Sequence, residues 1–233
     1  MVNFIFMLTH HDVTVPNAIE VFKEIQDTEV TCVGFKDIGL TLHEMNILVD
    51  LMRKKGKTIF FEVVSENKED AIQSAKNAMT LDVDYLIGGK YVEETLRLLK
   101  GRVRYMPYVG RVSGHPCQLS GEIDEIVADA RRAEDLGVDG VTLLAYRYSG
   151  EAHKLIESVK DAVNIPIIVA GNINSSERIR EVINLGVWGF TIGGAIFEKK
   201  FASKGDIREQ LTTVIRETRR LENQIIADAY FTE

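Results

Sequence analysis

The sequence predicts a single α/β domain over residues 1–233, folded as a (β/α)8 TIM barrel. Three observations predict it. Eight short, nearly continuous apolar runs recur along the chain, as expected of parallel strands buried on both faces. Helix-like stretches fill the gaps between them. The units repeat about every 25 to 30 residues, and a barrel of this kind typically needs ~250 residues, close to the 233 present. A doubly wound open sheet would place a glycine-rich fingerprint after the first strand, and here that strand runs into Thr-His-His-Asp.

The expected strands are 3–9, 30–36, 57–64, 83–89, 103–110, 139–146, 165–171 and 187–194. The first helix opens at Pro16, whose fixed φ suits a first turn. The second, 42–56, ends in basic residues and Gly56, which complement the helix dipole and stop the helix. After strand three a helix starts at Ser65 followed by acids. After strands five and seven, helices start at Ser120 and Asn174 and end at Gly137 and Gly186. Leu-Gly-Val leads into strands six and eight alike. Segment 222–233 is left unassigned, free to cap the barrel or meet a partner.

Composition limits the function. The net charge of -7 disfavours nonspecific nucleic-acid binding, which needs clustered positive charge. Two cysteines in 233 residues exclude a disulfide scaffold. No apolar run approaches ~20 residues, so no membrane helix is expected. The apolar N-terminus lacks a basic region and a cleavage site and reads as a strand. A cytoplasmic protein without cofactor follows, and a homodimer is compatible with it.

Active sites of such barrels lie at the C-terminal strand ends, so the polar residues there are the candidates. Strands seven and eight end in Gly171, Asn172, Gly193 and Gly194. Glycine lets backbone N–H groups approach an anion, and these two turns are the recurrent phosphate position of the architecture. The stretches IPIIVAGNIN and LGVWGFTIGGAIFE resemble the closing segment of the ribulose-phosphate-binding barrel superfamily. That group includes sugar-phosphate epimerases, hexulose-phosphate synthase-like lyases and the phosphoribosyl barrels of histidine and tryptophan biosynthesis. The resemblance implies a small phosphorylated, sugar-like substrate without choosing the reaction.

The chain departs from individual members. Ribulose-phosphate 3-epimerases pair acids from strands two and seven, whereas strand seven here ends Ala-Gly-Asn. The Asp-x-Lys-x-x-Asp of the orotidine-phosphate decarboxylase and hexulose-phosphate synthase group is missing. Histidine-pathway isomerases end strands one and five in acids; Asp12 answers to the first, and PYVGR holds none. N-acetylmannosamine-6-phosphate 2-epimerases use a Lys from an early strand, to which Lys36 is a loose analogue.

The other strand ends supply the reacting groups. Lys36 and Asp37 alternate, so only one can face the barrel. An inward Lys36, its pKa lowered by burial, would be a base or a Schiff-base nucleophile. Glu62 lies in an apolar strand and needs a partner, for which Lys36 is the nearest candidate. Gly88, Gly89 and Lys90 echo the strand-eight turn and suggest a second anion site. The long loop after strand five offers Arg111 as an anion clamp and His115 as an acid/base. Arg147, with Tyr148, crowds the rim of strand six and is placed at the anion. His10, His11 and Asp12 end strand one; His10 is assigned to substrate, and no metal is expected. Three functions follow: an isomerase, epimerase or carbon–carbon lyase on a sugar phosphate; a class I aldolase using Lys36; or a phosphometabolite binder without catalysis.

Overall fold

Eight parallel strands form the barrel in a computed structural model that describes residues 2–230. They are β1 (Asn3–Met7), β2 (Cys32–Lys36), β3 (Thr58–Val63), β4 (Tyr85–Gly88), β5 (Arg104–Met106), β6 (Val141–Leu143), β7 (Ile167–Val169) and β8 (Gly189–Ile192). Their spatial order is β6-β7-β8-β1-β2-β3-β4-β5. The seam between β5 and β6 closes through one parallel bridge, Tyr108 to Thr142. There Thr142 N–H donates to the Pro107 carbonyl at 2.7 Å. Pro107 has no N–H of its own to offer the ladder, so β5 ends earlier than its apolar run.

The helices are α1 (Ala18–Ile25), α2 (Leu42–Lys54), α3 (Lys68–Leu81), α4 (Val92–Leu99), α5 (Ile123–Asp135), α6 (Ala152–Ala162), α7 (Ser176–Asn184) and α8 (Ile207–Tyr230), with a short turn of helix at Gly194–Phe197. Segment 222–230, unassigned from sequence, continues α8; residues 231–233 and Met1 lie outside the described residues. A reciprocal cap starts α2: Thr41 Oγ1 accepts from Glu44 N–H at 3.3 Å, and Glu44 Oε2 accepts from Thr41 N–H at 2.7 Å. Asn67, not Ser65, caps α3, because the Ser65 hydroxyl donates to Asp37 instead.

Strand alternation sorts the side chains into layers. Lys36 lies beside Glu62 in the β2–β3 register, one layer above Gly34 and Phe60. Phe35 and Phe61 face outward, their rings 5.1 Å apart beneath the helices. Lower in the barrel, Phe60 stacks on Tyr85 at 4.6 Å, and Trp188 meets Tyr85 at 5.6 Å. Rings therefore fill the lower barrel, and charges occupy the layer at its mouth.

Two antiparallel hairpins rise above the mouth. Thr9–His10 pairs with Val13–Thr14, and its turn residues His11 and Asp12 are both left-handed, at φ 50° and 66°. Arg111–Ser113 pairs with Gln118–Ser120, between Gly110 and Gly121, whose positive φ lets the chain leave the barrel and return.

Candidate active site

Four charged side chains meet at the mouth. Lys36 Nζ lies 3.4 Å from Glu62 Oε2 and 2.6 Å from Asp12 Oδ1. The first hairpin's tight turn delivers Asp12, a residue type that tolerates the left-handed region. Its Oδ1 also accepts from Arg147 Nη2 at 2.8 Å, and its Oδ2 accepts from Cys117 N–H at 3.1 Å. Arg147 Nη1 donates to the Cys117 carbonyl at 3.2 Å. Tyr108 donates its hydroxyl to Glu62 Oε1. Thr14 fixes the Lys36 backbone, accepting from its N–H at 2.8 Å and donating to its carbonyl at 3.0 Å. Asp12, Lys36 and Glu62 are all at least nine-tenths buried, so each charge needs the others.

The electrostatics correct one expectation. Burial alone pushes the Lys36 amine down, but the carboxylates of Glu62 and Asp12 outweigh it and raise its pKa. Burial also opposes ionisation of Asp12, and Lys36 and Arg147 reverse that, holding its carboxyl well below the usual range. Burial and then Glu62 push the Tyr108 phenol well up, so it stays a hydrogen-bond donor. Burial and Asp12 push the Cys117 thiol up to about 12.

These groups share a cavity of about 290 Å³ with the strand-seven and strand-eight turns: Gly171, Asn172, Gly193 and Gly194 line it together with Asp12, Lys36, Glu62 and Arg147. Gly171 is at φ 78°, and a Cβ there would stand 2.6 Å from Arg147 Nε. Its missing side chain therefore makes room for the Arg147 stem, which joins the glycine turn to Asp12.

No protein-family profile matches the chain. Over 156 residues it is 30% identical to a protein named as an N-acetylmannosamine-6-phosphate 2-epimerase from Staphylococcus carnosus, covering 63% of this chain and 64% of that relative. The chain thus spans just under two thirds of that relative's length. Over 185 residues it is 22% identical to the imidazole glycerol phosphate synthase subunit HisF of Pyrococcus furiosus, covering 72% of this chain and 74% of the relative. The solved N-acetylmannosamine-6-phosphate 2-epimerase of Clostridium perfringens shares the fold, with a TM-score of 0.61 at 17% identity over 85% of this chain and 91% of that one. The chain is thus similar to members of the ribulose-phosphate-binding barrel superfamily and shares their barrel fold.

The barrel brings Lys36, Glu62, Arg147 and the four turn residues to one cavity and leaves the other candidates around it. His115 stands at the rim, its Nδ1 3.7 Å from Asp12 Oδ2. His11, not His10, lines the cavity; His10 stacks against it at 3.8 Å and lies 3.6 Å from Glu198. Asp37 points away from the cavity, accepting from Val64 N–H at 3.1 Å, Ser65 at 2.7 Å and Ser74 at 2.8 Å, and so ties the end of β2 to the turn after β3 and to the middle of α3. Arg111 faces outward and pairs with Glu125, so it clamps nothing at the mouth in this arrangement. Lys90 is exposed and lies apart from the main cavity. The echo between Gly88-Gly89 and Gly193-Gly194 stops at the letters: the first pair has φ of 73° and 72°, whereas Gly193 has φ of -122°.

Sequence reasoning gave Asp12 too little and missed Tyr108. The usable signal for Asp12 was an acid in a tight turn past strand one. For Tyr108 it was a hydroxyl-bearing residue one step after the strand-breaking Pro107. Among the described residues, no group of three or more His, Cys, Asp or Glu is placed to hold a metal ion. Among the same residues, no helix is long and apolar enough to cross a membrane.

Proposed function

We propose that the chain is an epimerase or isomerase of a small phosphorylated, sugar-like metabolite and moves a proton on a carbon beside a carbonyl. One observation carries this reading: a single cavity holds both the glycine turns after β7 and β8 and the buried Lys36–Glu62 pair. A phosphate seated against the turns anchors one end of the substrate, and that remote binding energy orients the reacting end. The Lys36 ammonium, kept protonated by its two carboxylates, donates to the carbonyl oxygen and stabilises the charge that develops there. Glu62 Oε2 removes the neighbouring proton while Tyr108 holds Oε1. Asp12 and Arg147 fix where the ammonium points. If the enediolate turns about its anchored phosphate end, Glu62 returns the proton to the opposite face of the same carbon and gives an epimer; return to the adjacent carbon gives an isomer.

The relatives named as N-acetylmannosamine-6-phosphate 2-epimerases support epimerisation over carbon–carbon cleavage. A Schiff base needs a neutral amine, which the raised pKa of Lys36 disfavours. The test is proton NMR of a sugar-phosphate panel, N-acetylmannosamine 6-phosphate included, incubated with the protein in deuterium oxide. The expected outcome is loss of the signal beside the carbonyl, with growth of a second isomer. Lys36→Met and Glu62→Gln each slow this by about 10²- to 10⁴-fold. A folded protein that neither exchanges nor converts any member of the panel overturns the reading.

A further inference from the structure

We infer that Arg178 is a positioning residue for the phosphate end of the ligand, acting through the backbone of Asn172. The inference rests on the phosphate reading above. It starts from a charge of the wrong sign. Ser175 caps α7, its hydroxyl accepting from Arg178 N–H at 3.4 Å, so Arg178 sits in the first turn. A helix N-terminus carries partial positive charge and favours acids, and a cation there is unfavourable unless something else uses it.

The side chain turns back toward the barrel mouth. Its guanidinium lies over the Tyr146 ring, 4.7 Å from the centroid. It donates to the Asn172 carbonyl and, at 3.3 Å, to Asn174 Oδ1. Asn172 is one of the few residues other than glycine with positive φ, at 55°. Its Nδ2 donates to the Tyr146 carbonyl at 3.2 Å. Tyr146 is itself fixed, its hydroxyl donating to Glu181 Oε2 at 2.7 Å, while Glu181 Oε1 meets His153 Nδ1 at 2.9 Å. A chain of contacts therefore runs from the outer face of α6 and α7 to one peptide of the cradle.

That peptide has two ends. In a trans peptide the carbonyl and the following N–H point in opposite directions. Gripping the Asn172 carbonyl from the α7 side turns the Ile173 N–H the other way, and Asn172, Ile173 and Asn174 all line the cavity. Arg178 thus orients a donor for the anion and helps to hold a left-handed backbone that asparagine tolerates but glycine adopts freely.

The test is calorimetric titration of inorganic phosphate, with steady-state kinetics on whichever sugar phosphate the panel identifies. Arg178→Gln is expected to weaken phosphate binding about ten-fold or more, the size of a lost charged hydrogen bond, and to raise KM in step while kcat holds within about two-fold. Arg178→Lys recovers part of the loss. Asn172→Gly supplies a residue at ease with positive φ, so in that background Arg178→Gln costs only about two-fold. Unchanged phosphate affinity in folded Arg178→Gln, or an equal loss in both backgrounds, overturns the assignment. Failure of the unmutated protein to bind phosphate or any panel member instead removes the functional reading beneath it.

Discussion

Asp12 carries more of the site than any other single residue, since both cations and the Cys117 amide converge on it. Its ionisation is linked to folding. Burial opposes the charged form, Lys36 and Arg147 outweigh that, and the folded carboxyl titrates below the ordinary ~3.9 of an unfolded chain. A depressed carboxyl contributes stability above its unfolded pKa and loses it as pH falls toward the folded one. Urea unfolding between roughly pH 4 and pH 2 is therefore expected to show a steeper loss of stability for the native protein than for Asp12→Asn. Parallel curves would deny the pairing. Lys36 has the opposite sign: its pKa is raised, so its contribution is complete at neutral pH and is lost as pH rises from the ordinary ~10.4 of an unfolded chain through the higher folded value. The sequence showed a Lys and a Glu on adjacent strands. It did not show a second carboxylate arriving from a turn, which joins Glu62 in outweighing burial and raising the Lys36 pKa.

Elements, more than residue types, separated the candidates that meet the cavity from those that do not. Lys36 and Asp37 are divided by strand alternation alone. Arg111 was assigned to the mouth because its loop is long, but the loop is an antiparallel hairpin, and its first residue faces solvent beside Glu125. Nothing in PYVGR announces that the chain leaves the barrel at Gly110. The hairpin's tip is held at three points: Gly114 N–H donates to Glu66 at 2.8 Å, Cys117 N–H donates to Asp12, and the Cys117 carbonyl accepts from Arg147. Cys117 reports on this latch. The residue is 3% exposed and its thiol is pushed up to about 12 by burial and Asp12, so a thiol reagent at neutral pH should modify it slowly. Asp12→Ala deletes one latch and unsettles another. Faster labelling at Cys117, with Cys32 unchanged, is the expected result by mass spectrometry; unchanged labelling would show that Asp12 does not hold the hairpin.

For the molecule as a whole, the barrel was legible because every unit meets the same requirement. Each strand buries both faces and each helix one, so eight similar patterns recur. The β5–β6 seam was not legible, since a single bridge and a few backbone bonds leave no periodic trace. Nor was the lower filling, which depends on rings from distant strands meeting inside. Phe60 is fully buried at its centre, and Phe60→Ala is expected to cost about 3–5 kcal/mol by urea denaturation with an unchanged m-value. A loss under about 1 kcal/mol would mean the neighbours collapse into the space. That filling also makes the barrel a cul-de-sac. A ligand enters and leaves the cavity at the mouth, bordered by His11 on one hairpin and Pro116 on the other. A ligand that lingers there blocks the next arrival, because the filled barrel below offers no second way out.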